Sequence, residues 1–572
     1  MSLYSVSGCA RSSNLSVWPE SGASIAYSFK SLLMEGFDMY PKAGMTTADG
    51  KRSRRHVACL AALLLAGTAH AAGTMSYCIG DAPEGFDPAQ YETTSTFDAA
   101  GITLYDQLVR MPPGSSQPQP GLAESWQISG DGLSVAMKLR RGVKFHTTPW
   151  FKPTREMNAD DVLFSIKRML DKNHPGHAAA RNGFIYWEGM SMSSLVKAVD
   201  KLDEMTVRIT LVRPEAPFLA NLAISSIGSV FSAEYAEQLM NAGKLEQLNT
   251  QPVGTGPFVF KSYQKDAVVR YTANPSHWLG APKIDNLVFA ITTDEDVAAQ
   301  RVKAGECLMA VIKAESVALF DKHPDVTVVR HTGLRTAYLA PNNERPALRD
   351  KRLRLALWLA IDKANLIRVA YGGVATPATS FLPTGMWSLD TTLKERHDPE
   401  QAKAHVKASG YDGSELVLFI ADAGSTRRAA QSLQADWANV GIKVRVQAME
   451  LGELFKRTSK GEHDLMMASW ESDNGDPDNF FTPNLSCAAV AGGGNKARWC
   501  NAEFDKLIAA ARRSSAQAQR IDLYKQAQRV LYDEVGLIPL LYPGQTTAVS
   551  RRVQGYMPSP FGLHDFSTVS LK

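Results

Sequence analysis

Short alternating stretches of apolar and polar residues mark strands along much of the chain, and apolar positions three to four apart mark the helices between them. Residues 75–79 read as a first strand, followed by a turn-rich loop, Asp81-Ala82-Pro83-Glu84-Gly85-Phe86-Asp87-Pro88. Residues 133–139 alternate with period two, as a half-buried strand does. Asn158 precedes Val162, Ile166, Met169 and Leu170 at helical spacing. It suits the N-cap, because its side-chain oxygen can accept from a backbone N–H that the helix start leaves free. Residues 207–211 and 268–271 read as further strands. Near residue 332 the character changes. Leu353, Leu357, Ala360 and Ile361 define an amphipathic helix, then residues 416–420 read as strand, 428–440 as helix and 443–447 as strand. That β–α–β order predicts a parallel α/β layer. A helix over 521–532 leads into a buried strand over 537–542.

The N-terminal pattern is of another kind. The basic cluster Lys51-Arg52-Ser53-Arg54-Arg55 precedes an apolar run over residues 57–65, and then Ala69-His70-Ala71 offers small residues where a signal peptidase reads them. The order is that of a secretory signal, and the run is shorter than the ~20 apolar residues needed to span a bilayer. Residues 45–71 form the expected signal peptide, cut after Ala71. Residues 1–44 are a dispensable extension or a mis-assigned start, because Met45 gives a leader of ordinary length. Secretion places the mature chain in the periplasm.

Composition narrows the classes. The 572 residues are 44% hydrophobic and 21% charged, a soluble globular balance that excludes collagen-like and disordered chains. Net charge is +4; residues 1–71 hold seven basic and four acidic groups, leaving 55 basic against 54 acidic beyond them. Such a chain has no electrostatic footprint for nucleic acid. Cys9 and Cys59 leave with the leader; Cys78, Cys307, Cys487 and Cys500 remain. In an oxidising compartment four cysteines make two disulfides, in one of three connectivities. Cys487 and Cys500 flank Ala491-Gly492-Gly493-Gly494 and suit a short bridge, which leaves Cys78 with Cys307. No CxxC or adjacent His pair suggests a metal.

Catalytic motifs are missing from the sequence: it holds no Walker loop, no G-x-S-x-G elbow and no H-E-x-x-H. It reads as a binding protein rather than an enzyme, with no cofactor expected. The most polar cluster is Glu471-Ser472-Asp473-Asn474-Gly475-Asp476-Pro477-Asp478, with Trp470 before it and Phe480-Phe481 after it. Its spacing lacks the calcium-loop pattern. An acidic loop walled by aromatics suits a cationic group on a ligand.

Several collinear segments resemble the family 5 extracytoplasmic solute-binding proteins, the peptide- and nickel-binding receptors of ABC importers. They are Gly121-Leu122-Ala123-Glu124-Ser125-Trp126, Asp131-Gly132, Lys138-Leu139-Arg140-Arg141-Gly142-Val143-Lys144-Phe145-His146, Asn158-Ala159-Asp160-Asp161-Val162, Pro252-Val253-Gly254-Thr255-Gly256-Pro257-Phe258 and Asp362-Lys363. Lys152-Pro153-Thr154-Arg155-Glu156, Arg213-Pro214-Glu215-Ala216-Pro217-Phe218 and Asp473-Asn474-Gly475-Asp476-Pro477-Asp478-Asn479-Phe480-Phe481 resemble the dipeptide-binding members in particular. The resemblance runs from about Ser76 to the C-terminus. It implies an α/β, two-lobed periplasmic-binding-protein fold (type II, cluster C) that closes on its ligand. Lobe I is expected over 72–332 and 546–572, with an extra subdomain inserted at about 104–253, and lobe II over 333–545. The resemblance pairs the cysteines as their spacing does.

A dipeptide is a zwitterion, and each charge taken out of water needs a partner. The resemblance implies Asp473 for the α-ammonium, residues 469–471 (Ser469, Trp470 and Glu471) as an edge for backbone contacts with Trp470 walling a side-chain pocket, and Thr94, Ser95 and Thr96 as the facing polar loop. Trp387 is equally a packing residue or a contact. The family's loop arginine for the ligand carboxylate has no match in Ala421-Asp422-Ala423-Gly424-Ser425-Thr426. Arg427 and Arg428 match a basic pair on the family's helix, which leaves Arg335 as the candidate substitute. The expected function is capture of dipeptides or short peptides for ABC permease subunits, by a monomer. Related receptors leave haem, metal chelates or antimicrobial peptides as alternatives.

Overall fold

The computed structural model describes residues 73–491 and 494–572. The expected signal peptide, its cleavage position and residues 1–44 lie outside the described residues.

One long strand belongs to two half-sheets. Ile538–Ser550 pairs through Ile538, Pro539 and Leu541 with Arg335–Pro341, and through Gly544 to Ser550 with Val326–Thr332. On one side the sheet continues through Arg335–Pro341, Leu465–Glu471, Leu416–Ala421 and Val444–Met449. On the other it continues through Met309–Val311, Thr74–Ile79, Asn286–Ile291, Val268–Ala273 and Phe258–Gln264. The chain thus crosses between halves twice, at 332–335 and at 541–544. Each half buries its own core, one around Trp187, Phe231 and Phe289, the other around Trp358, Trp437 and Leu433. A separate antiparallel sheet, Ala123–Ile128, Ser134–Leu139, Thr206–Leu211 and Val196–Asp203, lies within 104–253.

Local sequence explains most of these elements. Asn158 caps Ala159–Leu170, and Asp161 returns the hydrogen bond to complete a capping box. Leu416–Ala421 and Val444–Met449 are parallel neighbours joined by the helix Gly424–Asn439, as the β–α–β pattern requires. That helix starts four residues earlier than expected, because Gly424, Ser425 and Thr426 carry no apolar side chain to show the period. The last strand runs on to Ser550, beyond the apolar stretch, because the second half-sheet supplies partners for Thr546 and Thr547. Both disulfides form: Cys78–Cys307 and Cys487–Cys500. The first ties neighbouring strands, since Tyr77 and Cys78 lie beside Met309 and Ala310.

Candidate functional site

A cleft of about 1470 Å³ lies between the two halves. One wall is the strand Leu465–Glu471. It pairs with Arg335–Pro341 along its whole length, Arg335 opposite Glu471 and Ala337 opposite Ser469. On its other edge Leu418 and Phe419 pair with Leu465 and Met466. Beyond them, among the described residues, no strand covers residues 468–471. Ala468, Ser469 and Glu471 line the cleft there, so a stretch of backbone N–H and C=O faces it.

The acidic loop follows. Ser472 donates its backbone N–H to the Leu334 carbonyl at 2.8 Å, and its hydroxyl accepts from the Gly475 N–H at 2.9 Å. Asn474 and Asp476 accept from the backbone two residues on, at 2.9 and 3.0 Å. These residues make the Asx turns, and Asp473 does not. Its Oδ1 accepts from the Tyr186 hydroxyl at 2.8 Å and its Oδ2 from the Asn479 amide at 3.0 Å. Burial holds the Asp473 carboxyl above the usual range, with Asn479 and Tyr186 pulling it back and the charge of Glu92 adding to the rise. Among the described residues no lysine or arginine forms an ion pair with it. Burial also raises Glu471, opposed by Arg335 and reinforced by Asp473. Glu471 packs against two glycines: a Cβ at Gly333 or Gly562 would come within 3.4 or 3.1 Å of its Oε1.

The remaining expected residues divide. Thr94 and Ser95 line the cleft. Thr96 is fully buried and braces its own loop, its hydroxyl accepting from the Glu84 N–H and the Thr93 hydroxyl. Arg335 lines the cleft and donates to the Ser469 hydroxyl at 3.0 Å. Trp470 donates its indole N–H to Asn479 Oδ1 at 3.2 Å and so orients the amide that holds Asp473. Trp387 stands behind the loop, donating to the Gly475 carbonyl at 3.1 Å and lining a smaller pocket of about 460 Å³. Arg427 pairs with Asp422, and Arg428 with Glu315 and the carbonyl of Val369. Tyr186 escaped the sequence reading: it lies 287 residues from Asp473, in a segment with no distinguishing pattern.

Two lobes, a hinge of crossing strands and a polar cleft between them define a binding protein that closes on a ligand. A model of the bacterial extracellular solute-binding proteins, family 5, matches residues 117–492. The chain belongs to that family, and its fold is the two-lobed, type II periplasmic-binding-protein α/β fold. It is 45% identical over 521 residues to di/tripeptide-binding protein 2 of Pseudomonas aeruginosa, a match covering 89% of this chain and 98% of the relative. Among solved structures it is similar to HbpA2 from Haemophilus parasuis, with TM-score 0.82 and 37% identity, over 87% of this chain and 100% of that one. It is also similar to a dipeptide-binding protein of a Pseudoalteromonas species in complex with Met-Leu, with TM-score 0.76 and 32% identity, over 87% and 100%.

Proposed function

We propose that this chain is the periplasmic substrate-binding receptor of an ABC importer, and that it captures dipeptides or short peptides between its closing lobes for delivery to the permease subunits. The observation that carries this reading is Asp473, a largely buried carboxylate without a cationic partner among the described residues, at the end of a strand with an open edge. A peptide α-ammonium supplies the missing charge, and its backbone can take up the edge without regard to side chains. The relatives' peptide-binding names support the same reading.

Lobe I would comprise 72–332 and 546–572 with a subdomain at about 104–253, and lobe II 333–545. The receptor would act as a monomer after cleavage behind Ala71. Arg335 is the candidate partner for the ligand carboxylate. Arg427 is paired with Asp422, Arg428 lines the cleft but is paired with Glu315, and residues 421–426 hold no arginine. With the Arg335 guanidinium set against both Glu471 and Asp473, the ligand range would extend to amidated, longer or cationic peptides. Native mass spectrometry of protein purified from the periplasm, followed by calorimetry with dipeptides, tests the function. Co-purified peptides and dipeptide affinity support it, whereas bound haem or metal complex with no dipeptide affinity refutes it.

A further inference from the structure

The motif Arg213-Pro214-Glu215-Ala216-Pro217-Phe218 has no part in the cleft, yet it reaches across to the other half of the molecule. Glu215 is buried, its side chain 3% exposed, and its Oε1 accepts from both Nε and Nη2 of Arg512 at 2.8 Å. The adjacent Ala216 N–H donates to the Arg512 carbonyl at 2.7 Å. Arg512 therefore meets this motif with both its side chain and its backbone. It sits near the end of the helix Ala502–Arg513, whose Ala511 carbonyl accepts from Arg520 Nε at 3.1 Å. The same guanidinium of Arg512 lies 3.6 Å from Oδ2 of Asp478, the residue that opens the helix Asp478–Leu485 immediately after the acidic loop. Asn221, in the short helix just after the motif, accepts from the Asn474 amide at 2.6 Å.

We propose that Glu215 and Arg512 form a latch that couples closure of the lobes to the set of the ligand loop, with Arg512 as a positioning residue that never touches the ligand. The physical case rests on charge and burial. Arg512 serves two carboxylates that belong to different halves of the molecule. Only the closed arrangement gives it both, together with the backbone hydrogen bond at Ala216. In the open arrangement Glu215 keeps Arg213, 3.4 Å away, and Arg512 keeps Asp478, so neither charge is stranded. The latch therefore biases an equilibrium rather than holding the fold together. Arg512 holds the loop at Asp478 and Asn221 holds it at Asn474, so the loop's position and the closed state reinforce one another. Loss of the latch shortens the stay of the ligand, because release requires opening.

The inference rests on the peptide-receptor reading, and the experiment separates the two. Glu215→Gln, Arg512→Gln and the double variant are compared with wild type, using the dipeptide Ala-Phe as probe. Affinity is read by calorimetry, dissociation by stopped-flow fluorescence and stability by thermal melting. Each single variant is expected to weaken affinity roughly tenfold, mostly through faster dissociation, with association nearly unchanged; the melting temperature should hold in Glu215→Gln and fall in Arg512→Gln, which also strips Asp478 of its guanidinium. The double variant should be no weaker than the worse single one, since both remove the same contact. Unchanged dissociation in both singles, or fully additive losses, overturns the latch. If wild type binds no dipeptide, the functional reading fails, and scattering by the protein as purified still decides the latch. Glu215→Gln should then enlarge the radius of gyration, and identical curves overturn the proposal.

Discussion

The acidic loop has two faces that use the same chemistry in opposite ways. On the cleft face, Glu471 and Asp473 are largely buried carboxylates with no ion pair among the described residues. On the rear face, Asp476 is bonded to Arg520 at 2.7 Å with side chains 6% and 9% exposed, and Asp478 faces Arg512. A buried charge costs several kcal/mol unless it is paired. Asp476 meets that cost inside the protein through Arg520 and holds the loop in place, and Asp478 meets it in part, 3.6 Å from Arg512. The front ones leave it unmet, and a cationic ligand can meet it. Two aspartates three positions apart, Asp473 and Asp476, thus separate function from structure by whether a guanidinium arrives from the same chain.

The largest effect should come from the front. Asp473→Ala is expected to lower dipeptide affinity more than a hundredfold, on the order of 3–5 kcal/mol for stranding the ligand ammonium, while the melting temperature holds. Calorimetry giving wild-type affinity would remove Asp473 from the site. The rear should answer in the other quantity. Asp476→Ala strands Arg520 and should cost ~3 kcal/mol of stability, seen as an earlier denaturant midpoint; an unchanged midpoint would erase the contrast between the faces.

A third expectation uses pH. Burial pushes Asp478 up to about 7, despite Arg512 and the Thr482 hydroxyl. A carboxyl whose folded value exceeds its unfolded one binds its proton more tightly when folded, so its stability contribution is present at low pH and lost as pH rises through about 7. Wild type should therefore gain on Asp478→Asn between pH 8 and pH 5 by about 2 °C or more in melting temperature. Parallel melting curves across that range would contradict it. The smallest effect concerns Arg335. Wild type should bind a dipeptide and its C-terminal amide within a few-fold of each other, and Arg335→Ala should remove what preference there is. Strong preference for the free acid that survives Arg335→Ala would mean another residue reads the carboxylate.

These contrasts were only partly legible in the chain. The acidic run walled by Trp470 and Phe480-Phe481 drew attention to Asp473, because four carboxylates in eight residues need partners that local sequence does not supply. What the sequence could not separate was Asp473 from Asp476 and Asp478. Their arginines, Arg512 and Arg520, sit on later helices, and pairing at such separations leaves no periodic trace. Trp387 was open between packing and contact for the same reason, and it braces Gly475 from behind. Local signals served best where one element decides the matter, as with the Asn158 cap and the parallel strands around Gly424–Asn439. They failed at the start of that helix, where polar residues hide the period, and at Thr96, whose hydroxyl turns inward to Glu84.

The shared strand Ile538–Ser550 also fixes the order in which the protein can be made. Met309–Val311 and Val326–Thr332 leave the ribosome long before their partners near residue 547. The first half-sheet therefore waits, with paired edges missing, until almost the whole chain has been synthesised. Contacts so distant in sequence fold slowly, since the loop-closure entropy must be met before they contribute. Up to that moment the edge at Val326–Thr332 lacks its partner, and a chain truncated before residue 538 would lack the strand that joins the two half-sheets.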